Sequence, residues 1–485
     1  MKRSFIFAVA AALAVGACSD QQEPTTTNSN PGEFASTAGT KPINVVTRTP
    51  ATPAQLAELA KYGSVLKEIR EIKAVIMTGK ESSLASIRAL PFVAAANFDA
   101  ERNIPPDVQL GVSNFTTIGL STWDLDAVNV TDRVPGLNND RVIGYDGTGV
   151  YVAILDTGLL PTWRYYFPVE RIATQYAKSF GGGGNDRGAV SEQPNKWEHD
   201  NHSHGTHVTS TVLGYVIRGT PINGVAPKAN VIPVKVLGQT GSGWSSVIAA
   251  GITYIGTLKG VGGALHNSPV VINMSLGGPD LDAVEKAAID FAVGNGVIIV
   301  ASAGNSGPTG KMGYPGAYQP VIGVAASGWV GEWRNCNGAP GIFGGWWNAC
   351  NVPDPTSAAD FYITDFSSRQ GTNSDGTPQD LDVAAPGSWV VGPFQQQQGQ
   401  LSWFFLGGTS MASPHVAGIA ALMAQKRNTL TAADAEAILN ATAIPLAPGC
   451  RNVLNPNTGA EDNTCWGADA TGAGLATADA ALAGT

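Results

Sequence analysis

Four short stretches hold residue types suited to acyl transfer. In LGGTSMASPHVAG, residues 406–418, two glycines allow a tight backbone just before Ser410. A run with helical spacing follows, with Pro414 expected in its first turn, where a missing N–H does no harm. Ser410 would then stand at a helix N-terminus, where backbone N–H groups and the positive end of the helix dipole favour an anion beside its hydroxyl. In GVYVAILDTGL, Asp156 ends an apolar run and enters a Thr-Gly turn, a rigid place from which a carboxylate can orient an imidazole. In HDNHSHGTHV, residues 199–208, His204 precedes an apolar helical run and could take a proton from Ser410 while donating to Asp156. In VIIVASAGNSG, Asn305 follows another buried run, and its amide could donate to an oxyanion. Each residue also has a plain structural use: Ser410 as a helix cap, Asp156 and Asn305 as turn residues.

The histidine-rich stretch raises metal binding as a rival. It holds four of the six histidines: His199, His202, His204 and His207. His204 and His207 are three residues apart, with Gly and Thr between them and no Glu or Cys ligand nearby. That spacing lacks the ligand set zinc takes. His199 and His202 lie among polar residues and read as solvated loop positions.

The surrounding text must position these residues. VYVAIL, VIPVKVL, PVVINMSL, GVIIVASA and PVIGVAA are continuous apolar, β-branched runs, as strands buried on both faces should be. Helical stretches alternate with them: GTHVTSTVLGYV, SSVIAAGITYIGTL and LDAVEKAAIDFAVG. This alternation predicts an α/β fold, a parallel sheet with helices on both faces. Active sites of such sheets gather at the carboxyl ends of the strands.

The order Asp…His…Ser is that of the subtilisin arrangement. With the blocks AILDTG, HGTHV and GTSMASPHVAG, the chain from about residue 123 resembles the subtilisin-like serine proteases, the subtilase family. The resemblance implies Ser410 as nucleophile, His204 as general base and then acid, and Asp156 as the orienting carboxylate. It gives Asn305 and the Ser410 backbone N–H as the oxyanion hole, and His207 as structural. By the same likeness Gly241, Ser242 and Gly243 form one edge of the substrate cleft. Ser275, Leu276, Gly277 and Gly278 form the other, and an extended peptide adds as a strand between them. Ala303, Gly304 and Gly313 resemble the walls of the first specificity pocket; all are small and uncharged, so a large apolar P1 residue is expected. No cofactor is required for this chemistry. Calcium is usual in the family, and Asp382 in LDVAAPG stands where some members use an Asp ligand, with no full ligand set readable.

Upstream, residues 41–104 read strand, helix, strand, helix, strand and resemble a small ferredoxin-like α+β unit, with Thr52 and Pro53 opening the first helix. In the family this is the place of an inhibitory propeptide, here an intramolecular partner of the peptidase. Residues 105–122 read as an exposed connector carrying the maturation site, and 123–485 as the peptidase domain. A Trp-rich insertion at about 328–360 holds Trp329, Trp333, Trp346 and Trp347, expected to form a mini-core of its own. A tail spans 448–485.

The remaining expectations concern export. Lys2, Arg3 and the short apolar run after them read as a signal peptide, residues 1–17. VGAC resembles a lipoprotein cleavage site, making Cys18 the lipid-bearing residue and 18–40 a flexible tether. Five cysteines agree: Cys336 with Cys350 and Cys450 with Cys465 form two close pairs in an exported chain, leaving Cys18 over. Each bridge would close a loop of roughly 15 residues, a contribution of about 3 kcal/mol. An exported, extracellular or outer-membrane-anchored protein of bacterial type follows, touching membrane only through its lipid, and expected to be a monomer. The net charge of -9 without basic runs excludes nucleic acid. The rival function is a catalytically silent surface lipoprotein that binds peptides with the same fold.

Overall fold

The computed structural model describes residues 39–104, 108–112, 122–132, 141–181, 192–217, 219–334, 352, 357–373, 376, 378–456 and 458–485. The signal peptide, Cys18, Cys336, Cys350, Trp346 and Trp347 lie outside them. Among the described residues no helix is long and apolar enough to cross a membrane.

Residues 40–98 form the expected α+β unit. The central strand Thr40–Thr47 pairs antiparallel with Ala74–Lys80 on one side and Val93–Phe98 on the other. Gly63–Ile69, whose residues face mostly outward, adds to the outer edge of Ala74–Lys80 and completes four strands. The helix Pro53–Leu59 starts where the sequence says it should. Thr52 accepts from the Gln55 backbone N–H, the Gln55 side chain accepts from the Thr52 N–H, and Pro53 fills the first turn.

The larger unit is built on nine strands. Val383–Pro386 and Ile322–Trp329, then Val297–Ser302, Val270–Met274, Tyr151–Asp156, Asn230–Lys235 and Lys178–Phe180, run parallel in spatial order. Phe361–Ile363 and Glu192–Gln193 add antiparallel strands, so the sheet is mixed rather than wholly parallel. In the central strands side chains alternate between two cores. Val152 and Ile154 join one core with the helices His204–Leu213 and Thr409–Lys426. Ala153 and Leu155 join another with Ser245–Lys259 and Ala283–Gly294. Ile69, Ile72, Ala74 and Ile76 enter this second core, so the N-terminal unit is seated on its two helices. After Tyr151–Asp156 the chain builds first to one side and then crosses to Val270–Met274 on the other. Asp156 thus ends a strand at the switch point, where clefts open in such sheets.

Three sequence expectations change. Pro414 is the sixth residue of its helix, not a first-turn residue. Part of the expected connector is a strand: Val108–Val112 pairs antiparallel with Trp403–Gly407, which leads into Ser410. The tryptophans of the insertion that are described do not make a core of their own. Trp329 and Trp333 are buried in the main core, Trp333 with ring centroids 5.1 Å from Phe405 and 5.5 Å from Trp389. In the tail, Cys450 and Cys465 are bonded and face each other across the hairpin of Gly449–Leu454 and Glu461–Trp466.

Truncating Trp333 leaves a cavity under the strand that feeds the helix Thr409–Lys426. Trp333→Ala should cost about 3–5 kcal/mol and lower the melting temperature by roughly 5 °C or more, read by calorimetry in a Ser410→Ala background that prevents self-digestion.

Candidate active site

Asp156 is fully buried at the end of its strand, and its carboxylate oxygens lie 2.9 and 3.0 Å from Nδ1 of His204. Two glycines make this approach possible. A Cβ on Gly205 would come within 2.3 Å of the Gly158 carbonyl oxygen, and one on Gly158 within 2.3 Å of the Trp197 carbonyl oxygen. Only bare backbone lets the helix start press on the turn after the strand. The Thr157 N–H donates to Asp156, and the Thr157 hydroxyl accepts from the Gly205 N–H.

The segment before His204 is held in tension. Ser203 has φ of 78°, a left-handed conformation uncommon for a residue with a side chain. Buried Asp200 sustains it by accepting from the N–H groups of His202 and Ser203 and from the Thr157 hydroxyl. Burial pushes the Asp200 carboxyl up to about 6, against the pull of Lys235. Lys235 is itself buried and donates to the carbonyls of Thr157 and Leu237. Asp200 and Lys235 were not read as site residues in the sequence. Asp200 was visible only as one more polar residue of the histidine stretch.

The four histidines separate by environment. His199 is exposed. His202 is not a solvated loop residue: its ring is edge-on to His204 at 6.0 Å between centroids, and burial holds it down to about 4. His207 is wholly buried, with Nε2 at 3.2 and 3.3 Å from the carbonyl oxygens of Val390 and Phe404, and burial lowers it to about 3. A further buried pair escaped the sequence reading: Nε2 of His415 lies 3.0 Å from Asp124.

Ser410 is the second residue of the helix Thr409–Lys426, which packs against the helix His204 begins. Its Oγ lies 3.5 Å from the Ser275 carbonyl oxygen. Pro414 has no N–H to give to the carbonyl of Ser410, its helical partner four residues back. The Ser275 hydroxyl supplies that bond instead, at 2.8 Å. Asn273 donates to the same hydroxyl and accepts from Ser413, so strand and helix are joined at three side chains. Asn305 is oriented from the helix as well: its Oδ1 accepts from the N–H and hydroxyl of Thr409, which leaves Nδ2 as the donor end of the amide.

Residues 101–104 run in extended form between two of the expected cleft edges, Gly241–Gly243 and Gly277. The strand Glu101–Asn103 pairs antiparallel with Ser242–Trp244, Arg102 opposite Gly243. The Ile104 N–H donates to the Gly241 carbonyl, and the Ser242 hydroxyl donates to the Asn103 side chain. On the other edge Asn103 and Gly277 exchange both backbone bonds, while Gly278 exchanges both with Tyr314. Leu276 is buried behind this edge. Ala303 accepts from the Gly313 N–H, and Gly304 lines with Gly313 and Met312 a cavity of about 760 Å³ beside Asn305. Lys311 also reaches this wall, a charge the sequence reading did not include.

Asp380, Asp382 and Glu436 each place one oxygen within 4.8 Å of the others. Burial raises all three carboxyls, that of Asp382 to about 7. Asn440 donates to Asp382, and its own Oδ1 has no hydrogen-bond partner among the described residues. This is a set of hard oxygen donors of the kind calcium takes, short of its usual six to eight.

A buried carboxylate on an imidazole at a sheet's switch point, with a serine at the start of the helix packed alongside, is the layout of a hydrolase that works by acyl transfer. The comparisons give the class its family. Residues 147–473 match the Subtilase family, and the chain belongs to that family. It is 33% identical over 325 residues to Subtilisin DY of Bacillus licheniformis, covering 66% of this chain and 93% of that one. It is 30% identical over 387 residues to Subtilisin E of Bacillus subtilis (strain 168), covering 79% and 78%. Among solved structures it resembles fervidolysin from Fervidobacterium pennivorans, described as a keratinolytic enzyme related to subtilisin. That match has a TM-score of 0.62 at 22% identity and covers 92% of this chain and 61% of that one, a likeness of fold alone. Sphericase matches with a TM-score of 0.53 and 27% identity over 75% of this chain and 99% of its own. The protein is a serine-type endopeptidase of the subtilisin kind.

Removing the Ser275 hydroxyl would orphan the buried Ser410 carbonyl, a loss of about 1–3 kcal/mol. Ser275→Ala should lower kcat roughly tenfold with little change in KM, measured on a chromogenic peptide. An unchanged kcat would mean that the strand does not set the position of the serine.

Proposed function

We propose that the chain is made as a self-inhibited zymogen of an exported serine endopeptidase in which Asp156, His204 and Ser410 act as one unit. Ser410 Oγ attacks the peptide carbonyl as His204 takes its proton. Asp156 holds the imidazole in the tautomer that presents Nε2 to the serine and stabilises the imidazolium that forms. Asn305 Nδ2 and the Ser410 backbone N–H hold the oxyanion. The protonated imidazole then gives its proton to the leaving amine, and water repeats the sequence on the acyl-enzyme. The observation that carries this reading is the Asp156–His204 contact, buried and fixed by the Gly158–Gly205 approach, at the end of a groove already holding an extended chain.

The groove occupant supports the inhibitory role. Glu101–Asn103 lies where a substrate strand would lie, in a chain whose residues 40–98 are seated on the helix layer beneath. Prolines follow at 105 and 106. The maturation cut belongs in this connector, residues 105–122. The small walls at Ala303, Gly304 and Gly313 support a preference for large apolar P1 residues. Cys18 as a lipid anchor and the Cys336–Cys350 bridge remain part of the proposal on the sequence alone. Asp380, Asp382 and Glu436 would hold a structural calcium.

Wild type expressed from the full chain should shorten and hydrolyse casein. Ser410→Ala and His204→Ala should stay at precursor size, with activity down by about 10⁴-fold or more. Wild type that stays at precursor size, ignores serine-directed covalent inhibitors and clears no casein would favour the silent peptide-binding lipoprotein. Chelation should lower the melting temperature of Ser410→Ala, and Asp382→Asn should abolish that response; an unaltered melting curve would remove calcium from the account.

A further inference from the structure

Arg102 is an unusual occupant for a peptide groove. Its side chain is wholly buried, and so is that of its partner, Glu285 in the helix Ala283–Gly294. Nη2 lies 2.5 Å and Nε 3.2 Å from Glu285 Oε2, and Nε lies 3.1 Å from Oε1. Nη2 also donates to the Asp280 carbonyl at 2.8 Å, and Nη1 to that of Glu101 at 3.1 Å. The groove wall is shaped for this side chain. A Cβ on Gly278 would come within 2.6 Å of Arg102 Nη1 and 2.5 Å of the Glu101 carbonyl oxygen.

Glu285 belongs to the peptidase and Arg102 to the segment that must leave. When that segment goes, Glu285 stays behind as a buried carboxylate beside Asp282, without the guanidinium that matched it. Removing one partner of a buried pair costs far more than the pair was worth. The vacated pocket therefore selects for a cation, and its fork of carboxylate and carbonyl oxygens fits a planar guanidinium better than a point charge.

The register identifies the position. Asn103 faces Gly277 in antiparallel pairing, so a peptide in this register carries the residue two further along opposite Ser275. The Ser275 carbonyl is the one Ser410 Oγ approaches. The place filled by Arg102 is then the fourth on the amino side of the bond cleaved.

We propose that Glu285, with the Asp280 carbonyl and the space left by Gly278, forms an arginine-selective subsite, and that the mature enzyme prefers peptides with arginine four residues before an apolar cleavage residue. The proposal rests on the endopeptidase reading. The Arg102–Glu285 pair is then a substrate contact made in advance by the enzyme's own chain.

The test compares quenched fluorescent peptides identical except at that position: arginine, citrulline, leucine or glutamate. Citrulline keeps the shape of arginine and loses the charge. Mature wild-type enzyme should show kcat/KM for arginine at least about tenfold above citrulline and higher still above glutamate. In Glu285→Gln the arginine-to-citrulline ratio should fall to about threefold or less. If that variant fails to mature, the wild-type series decides alone. Hydrolysis of all four peptides at similar kcat/KM overturns the subsite and leaves the endopeptidase reading intact. Hydrolysis of none overturns both.

Discussion

The site depends on the closeness of two backbones. The turn after the strand Tyr151–Asp156 and the start of the helix His204–Leu213 meet at Gly158 and Gly205, where neither could carry a side chain. That contact brings the carboxylate of Asp156 to the imidazole of His204, and much of the surrounding polar structure serves to keep it. Asp200 straps the strained Ser203, Lys235 ties the Thr157 carbonyl, and Thr157 bridges both sides. Several of these groups are charged and buried, so each is stable only while its partners are in place.

The second dependency runs between layers. Ser410 belongs to a helix on one face of the sheet, whereas Ser275–Gly278 follows a strand of the sheet itself. Ser275 joins the two through its hydroxyl on Ser410. The strand Trp403–Gly407, which leads into Ser410, is in turn paired with Val108–Val112, so the segment after the N-terminal unit also touches the path to the serine. In the proposed zymogen, a cut in this stretch would remove a neighbour from the strand that leads into Ser410 as well as a plug from the groove.

Much of this could be read from the sequence, for definite reasons. Runs such as VYVAIL and GVIIVASA are apolar on both faces and can only be buried strands, and the blocks around Asp156, His204 and Ser410 are long enough to fix the order of the site. What could not be read depends on partners far apart in the chain. His202 sits among polar letters but is covered by tertiary packing. Trp333 looks like part of an insertion until Phe405 is beside it. Arg102 and Glu285 are 183 residues apart, and nothing local marks either as buried. Pro414 was misjudged by less than two turns because a proline inside a helix normally breaks it, and the compensating hydroxyl comes from another layer.

That proline has a mechanical consequence. A serine held only by its own helix would move with every opening of that helix's first turn, where fraying is cheapest. Here the carbonyl of Ser410 is fastened to Ser275, just past the end of the strand Val270–Met274. The serine is thereby tied to the sheet as well as to its own helix. Opening of that first turn then has to break a bond to another layer as well as the helix's own.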